Sequence, residues 1–278
     1  MRLKFTKMEG TGNDFVVINS LDNEFNLSAA QIKKFADRHY GIGFDQLLVV
    51  GRSDLPEADF SYRIFNADGT EVNQCGNGAR CFVKFVHDKQ LTKKTEITVE
   101  TKSGIIKPKL EPNGLVIVNM GRPTFEPQHI PLAAEKKRAS YAALVQDKEI
   151  RFGAVSMGNP HAIIIVDDIQ SAPVSTLGPE LEKNQLFPES TNVNFVDIVD
   201  KGHINVRVWE RGVGETLACG SGACASVVYG ISQGRIHNNC SVSMLGGDLT
   251  VTWDGGDVYL RGPARSVFEG ELSFTEAP

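Results

Sequence analysis

Two stretches of the chain, 144 positions apart, read almost alike. The first runs Tyr62-Arg-Ile-Phe-Asn-Ala-Asp-Gly-Thr-Glu-Val-Asn-Gln-Cys75-Gly-Asn-Gly-Ala-Arg80. The second runs Val206-Arg-Val-Trp-Glu-Arg-Gly-Val-Gly-Glu-Thr-Leu-Ala-Cys219-Gly-Ser-Gly-Ala-Cys224. Without a gap, Arg63, Glu71, Cys75, Gly76, Gly78 and Ala79 recur as Arg207, Glu215, Cys219, Gly220, Gly222 and Ala223. At an offset of 146, Gly12-Asn13-Asp14-Phe15 meets Gly158-Asn159-Pro160-His161, and Gln46-Leu47-Leu48-Val49 meets Asn192-Val193-Asn194-Phe195. Three correspondences in the same order indicate duplication of a whole domain, because solenoid repeats have much shorter periods.

A duplicated fold with one cysteine kept in each half suggests two thiols facing each other across a pseudo-two-fold axis. The chemistry that most needs such a pair is inversion of a carbon centre, with one proton removed from one face and another returned to the opposite face. Each cysteine precedes Gly-x-Gly and an apolar segment, 78–87 after Cys75 and 222–233 after Cys219, which predicts a sulfur at a helix N-terminus. There the unpaired N–H groups and the helix dipole favour a thiolate. The glycines let the backbone approach a ligand closely, so the same N–H groups can hold a carboxylate. Cys81, Cys224 and Cys240 read as small buried apolar residues.

Rival readings of these residues fit less well. Cys75/Cys81 and Cys219/Cys224 lack zinc spacing and no histidine pair completes a set, so no metal is expected. A C-x-x-C redox motif is absent. Gly10-x-Gly12 is not a dinucleotide fingerprint, since Phe15 stands where the third glycine belongs.

At 278 residues and 41% hydrophobic, the chain can hold two domains with separate cores. A formal net charge of −5 argues against a nucleic-acid partner, because no basic excess is present to neutralise phosphates. The N-terminus has no apolar signal-peptide region, and the longest apolar runs are strand-sized, so no membrane span is expected. Five cysteines, an odd number without dense spacing, fit a reducing cytoplasm.

Short β-branched or alternating runs punctuated by Pro112-Asn-Gly114, Gly246-Gly-Asp248 and Asp254-Gly-Gly-Asp257 predict a strand-rich chain with antiparallel hairpins. Helices are expected over 28–38, with Ser28 as N-cap, over 177–184, and after each active cysteine. The latter two are apolar on most faces, so a sheet should wrap each of them. The expected class is α+β. Residues 1–120, completed by 265–278, form one domain around Cys75, and residues 121–264 form the other around Cys219. Residues 276–278 are expected to fray.

Asn66-Ala-Asp-Gly-Thr-(x)4-Cys75-Gly-Asn-Gly-Ala-Arg80 resembles the signature of the diaminopimelate epimerase family, in which Thr70 is more often serine. Gly10-Thr-Gly-Asn-Asp-Phe15, Arg38-His-Tyr-Gly-Ile-Gly-Phe-Asp-Gln46, Gly158-Asn-Pro-His161, Asn192-Val-Asn-Phe195, Trp209-Glu-Arg-Gly212 and Gly214-Glu-Thr-Leu-Ala-Cys-Gly-Ser-Gly222 resemble it too. The resemblance implies two pseudo-symmetric β-barrel-like domains with mixed and antiparallel strands around a central helix, and an active site in the cleft between them. It also implies a cytoplasmic, cofactor-independent homodimer that converts LL-2,6-diaminopimelate to the meso form for lysine and peptidoglycan synthesis.

Carried over by position, the resemblance makes Cys75 and Cys219 the catalytic thiols, supported by His161 and Glu210. Cys219 takes the proton of the LL-substrate and Cys75 returns one. The resemblance places the reacting carboxylate on Gly76-Asn77 and Gly220-Ser221, with further substrate contacts at Asn13, Gln46, Asn66, Asn159, Asn192, Glu210 and Arg211. Phe268 stands where some members carry a tyrosine at the dimer contact. Read alone, His161 is an ordinary turn histidine.

The residues agree with this on substrate type. Amides supply both donors and acceptors, Arg211 can fork a carboxylate and Glu210 can take an ammonium. Asn66 aligns with Glu210 and Ala67 with Arg211, so the charged pair exists in one half only. A proline or hydroxyproline racemase, or a non-catalytic amino-acid binder, remains the alternative to be distinguished.

Overall fold

A computed structural model describes residues 2–22, 25–72 and 75–274. The expectation that residues 276–278 fray lies outside them. The chain divides into two compact units, residues 1–118 with 262–278, and residues 119–261.

In the first unit the strands are β1 (Arg2–Gly10), β2 (Asn13–Asn19), β3 (Gln46–Gly51), β4 (Phe60–Asn66), β5 (Glu71–Val72), β6 (Val99–Thr101), β7 (Gly104–Ile106) and β8 (Lys109–Leu110). β8 forms a hairpin with β9 (Val116–Asn119). In the second unit they are β10 (Tyr141–Val145), β11 (Lys148–Ser156), β12 (Pro160–Val166), β13 (Asn192–Asp200), β14 (His203–Glu210), β15 (Gly214–Thr216), β16 (Asn239–Met244), β17 (Gly247–Thr252) and β18 (Tyr259–Gly262). The last strand, β19 (Arg265–Ser273), returns to the first unit and pairs with β1. The first sheet runs β19-β1-β2-β3-β4-β6-β7 with β5 on β4. Within the second unit the order is β10-β11-β12-β13-β14-β16-β17-β18 with β15 on β14.

The duplication extends to strand register. Phe15 lies opposite Gln46 in the parallel pair β2–β3, and His161 lies opposite Asn192 in the parallel pair β12–β13, both shifted by 146. β4–β6 and β14–β16 are the other parallel pairs in the corresponding places. Arg63 forks Glu71 across β4–β5 at 2.8 and 3.2 Å, and Arg207 forks Glu215 across β14–β15 at 2.6 and 3.1 Å. The repeated Arg and Glu thus staple the same strand pair in each unit.

Each sheet curves around one apolar helix. α1 (Ala29–Ala36) begins at the N-cap Ser28 that its sequence predicts, closes a capping box with Gln31, and ends two residues before the expected 38. α2 (Gly76–Asp88) packs on β1, β2, β3 and β19. α3 (Val174–Glu182) covers β13 and β14, starting three residues before the predicted 177. α4 (Gly220–Ser232) packs on β11, β12, β13, β14 and β17. Phe82, Val83, Phe85 and Val86 of α2, and Ala223, Cys224, Val227 and Val228 of α4, are buried. Among the described residues no helix is long and apolar enough to cross a membrane.

Candidate active site

In both units the cysteine is the residue that opens the helix. Cys75 caps α2 and Cys219 caps α4, each in extended conformation, and each sulfur accepts the N–H of the glycine three residues on, Gly78 or Gly222, at 3.4 Å. Both helices therefore start two residues earlier than the sequence suggests. Gly-x-Gly lies inside the first turn, where N–H groups have no acceptor within the helix and a glycine interrupts nothing. Side chains are excluded there by space. A Cβ on Gly78 would lie 2.4 Å from Tyr62 Oη, and one on Gly222 would lie 3.0 Å from Val208 Cγ2 and 3.3 Å from Cys219 Sγ.

The first unit carries three amides at the ends of its central strands. Asn13, at the start of β2, directs Nδ2 toward Cys75 Sγ at 3.9 Å, and Gln46, at the start of β3, donates to Asn66 Oδ1 at 3.0 Å. Asn13 Oδ1 and Gln46 Oε1 are buried with no hydrogen-bond partner among the described residues. Two buried acceptors so placed suit a donor such as a substrate ammonium.

Adjacent carboxylates hold these amides in position. The Asp14 N–H donates to Asp45 Oδ2 at 3.2 Å and the Asp45 N–H returns a bond to Asp14 Oδ1 at 2.9 Å, while Arg38 bridges both side chains. Burial opposes ionisation of Asp14, yet Arg38 and Lys7 outweigh it and hold its carboxyl well below the usual carboxylate range. Asn77, on the first turn of α2, is buried and accepts from Arg80 at 2.9 Å. Arg80 is itself fully buried and donates to the carbonyl of Pro263 and to Thr11 Oγ1, each at 3.0 Å.

The second unit assembles a different set around Cys219. Ser221 Oγ lies 3.5 Å from Cys219 Sγ and 3.2 Å from Asn159 Nδ2, and the same Asn159 amide reaches His161 Nε2 at 3.2 Å. Glu210 sits beside the thiol and accepts from Thr216 Oγ1 at 2.5 Å. Asn192 spans from the Pro160 carbonyl, 2.9 Å, to the backbone N–H of Arg211, 3.0 Å. Arg211 Nη1 donates to the Glu189 carbonyl at 3.0 Å, and the residue is exposed. Asn159, His161, Asn192, Glu210, Arg211, Gly220 and Ser221 are thus brought together at one end of α4. Asn13, Gly76 and Asn77 lie at the start of α2, while Gln46 and Asn66 pair with each other where β3 begins and β4 ends.

The electrostatics correct one expectation. A helix N-terminus should lower a thiol pKa, but burial and then the Glu210 carboxylate push Cys219 well above its ordinary value, outweighing the Ser221 and Gly222 donors. Cys219 is 5% exposed, and at that depth desolvation of a thiolate exceeds what the helix start returns. Burial also drives the His161 imidazole down to about 4; the Asn194 bond opposes this and the Arg211 charge adds to it. Cys81 and Cys240 are pushed up by burial, and together with Cys224 they are packed inside, as their sequence context suggests.

Two site residues escaped the sequence reading. Asn194 lies under His161 at 3.2 Å, and its motif was visible but its side chain was assigned no role. Tyr62 places against Gly78 a buried hydroxyl that has no hydrogen-bond partner among the described residues, and nothing in its strand context marks it. Phe268 is on β19, an edge strand, half exposed and edge-on to Phe5 with ring centroids 6.0 Å apart.

The sequence profile of the diaminopimelate epimerase family matches residues 5–126 and 153–267. A diaminopimelate epimerase of Nitrosomonas europaea is 55% identical over 98% of this chain and 99% of its own length. One from Acinetobacter baylyi is 53% identical over 98% of each chain. Among solved structures, a hydroxyproline epimerase from Agrobacterium vitis superposes with a TM-score of 0.71 at 15% identity, covering 98% of this chain and 92% of its own. A phenazine biosynthesis protein of the PhzF family from Bacillus anthracis gives 0.70 at 18%, covering 99% and 100%. These distant structures share the two-domain fold. With a family profile and relatives matched along nearly its whole length, this chain belongs to the diaminopimelate epimerase family.

Proposed function

We propose that this protein interconverts LL-2,6-diaminopimelate and meso-2,6-diaminopimelate by cofactor-independent proton exchange at one α-carbon. The reaction serves lysine and peptidoglycan precursor synthesis in the cytoplasm. The observation that carries the reading is membership of the family at 55% identity over nearly the full chain. The two cysteine-capped helix starts, built alike in both units, support it chemically.

In this scheme Cys75 and Cys219 address the same α-carbon from opposite faces, and the pair holds one proton when substrate arrives. Glu210 takes the Cys219 proton, and the resulting thiolate removes the α-proton of the LL-substrate while Cys75 donates to the other face; the reverse reaction exchanges these roles. His161 supports the thiol chemistry. The α-carboxylate rests on the first-turn N–H groups of Gly76-Asn77 and Gly220-Ser221. Their dipoles stabilise the charge that develops as the α-proton leaves. The buried oxygens of Asn13 and Gln46 suit an ammonium, while Arg211, with Asn66, Asn159 and Asn192, suits the distal carboxylate.

The protein acts as a homodimer in this reading, with Phe268 on the exposed edge strand at the contact. Purified protein given LL-diaminopimelate and no additive should form the meso isomer, and absence of turnover would refute the assignment. Sedimentation of wild type and Phe268→Asp should show a dimer and a monomer, and a monomeric wild type would remove the dimer.

A further inference from the structure

The second unit buries a polar chain that the fold does not require. Phe15, Leu48 and Phe82 of the first unit are apolar and almost wholly buried. At the repeat offsets these positions become His161, Asn194 and Ser226, also at 1% exposure or less. The same architecture accepts hydrocarbon at all three places. Three polar groups buried there must satisfy one another, and the way they do so fixes where their protons lie.

The Gly222 carbonyl, on the first turn of α4, can only accept. It takes the Ser226 hydroxyl at 2.7 Å and Asn194 Nδ2 at 3.1 Å, and Asn194 Nδ2 also reaches Ser226 Oγ at 3.2 Å. Both partners require the Asn194 NH2 to face α4, so its oxygen faces His161 Nδ1, at 3.2 Å. An amide oxygen cannot donate, so Nδ1 must carry the hydrogen. We propose that Asn194 is a positioning residue that locks His161 in the Nδ1–H tautomer, making Nε2, the atom beside Asn159, the basic nitrogen of the ring.

The orientation of Asn159 then follows the charge on the ring. Asn159 Oδ1 lies 3.2 Å from Nε2 and Nδ2 lies 3.2 Å from Ser221 Oγ, a polarity that needs a hydrogen on Nε2 and so belongs to the charged ring, not to the neutral ring that prevails near neutral pH. The Ser221 hydroxyl is then directed to Cys219 Sγ, 3.5 Å away, and favours a thiolate there. With Nε2 bare, the amide must turn over, presenting NH2 to the ring and its oxygen to the Ser221 hydroxyl. Ser221 can then accept from a Cys219 thiol. No proton crosses the amide; only the polarity of the hydrogen bonds reverses. Linking this chain to turnover rests on the epimerase reading above, whereas the tautomer does not.

The test is two-bond 1H–15N correlation NMR on protein labelled at histidine nitrogen, near neutral pH and without substrate, with His161 assigned by its loss in His161→Gln. Wild type should show the Nδ1–H pattern. Asn194→Ala should show Nε2–H or a mixture, and Asn194→Asp, which keeps an acceptor at the same place, should restore pure Nδ1–H. An Nε2–H pattern in wild type overturns the proposal, and so does an unmixed Nδ1–H pattern in folded Asn194→Ala. If the alanine variant does not fold, wild type and Asn194→Asp decide in the same terms. A wild-type protein that shows Nδ1–H but does not epimerise diaminopimelate refutes the function and leaves the tautomer standing.

Discussion

The chemistry of Cys219 depends on what surrounds it more than on its place at a helix start. Burial and Glu210 raise its pKa, and the N–H of Gly222 lowers it by less. Neutralising Glu210 removes a like-charge penalty on the thiolate and, in the scheme proposed above, also removes the group that accepts the thiol proton. Glu210→Gln should therefore make Cys219 more reactive toward a small alkylating reagent at a given pH, while epimerase kcat falls on the order of a hundredfold or more, as for loss of a general base. Peptide mass spectrometry of timed alkylation, alongside kinetics, checks both halves. A variant whose thiol reacts more slowly would show that Glu210 is not the dominant charge at Cys219. At this scale the cysteines and amides were legible because the repeat and the motifs marked them. The raised pKa of Cys219 was not legible, since burial comes from strands that the local sequence does not name. Asn194 was invisible as a partner of His161 because only the parallel pairing of β12 with β13 brings them together.

Among the elements, each helix start is a close packing of glycine against a neighbouring strand. Tyr62 Oη occupies the place a Cβ on Gly78 would take, 2.4 Å away, and that hydroxyl is buried without a partner among the described residues. Gly78→Ala should cost on the order of 1–3 kcal/mol of stability, the usual range for overpacking. Tyr62→Phe should be close to neutral alone, because it removes an unsatisfied buried hydroxyl, and should recover much of the loss when combined with Gly78→Ala. Denaturant unfolding of the four proteins checks this, and purely additive effects would contradict the packing argument. The helices and most of the central strands were readable from their apolar periodicity. The short strands β5, β7, β8 and β15 and the longer β1, β10, β11 and β19 carry no such periodicity. β1 and β11 mix lysine, arginine and glutamate into their runs, and β19 is mostly exposed, so none of the three shows clean alternation. Pairing with their neighbours, rather than local preference, makes them strands.

For the molecule as a whole, the two units have the same registers and differ in the groups they bury, and that difference has a pH signature. The His161 pKa falls from an ordinary 6.5 to about 4 in the folded state, chiefly through burial, with Asn194 opposing and Arg211 reinforcing the shift. The unfolded chain binds the proton first, so the stability tied to neutral His161 is complete above pH 6.5 and is lost as pH falls toward 4. The full loss is about 3 kcal/mol. The difference in unfolding free energy between wild type and His161→Gln should change over that window and flatten below it; a difference independent of pH would contradict the buried neutral ring. The duplication itself was legible from the first reading, because shared residues at fixed offsets survive where overall similarity has faded.

The central claim is that two thiols serve one carbon from opposite faces, and deuterium tests it most directly. LL-diaminopimelate should be incubated with the protein in D2O and both isomers analysed at low conversion. A two-base enzyme delivers solvent hydrogen only to the face opposite the one it deprotonates. The meso product should therefore carry one deuterium at the inverted α-carbon while the recovered LL-substrate remains unlabelled, and Cys75→Ala and Cys219→Ala should each abolish formation of that product. Meso product without deuterium, or label entering recovered LL-substrate as fast as product forms, would contradict the account.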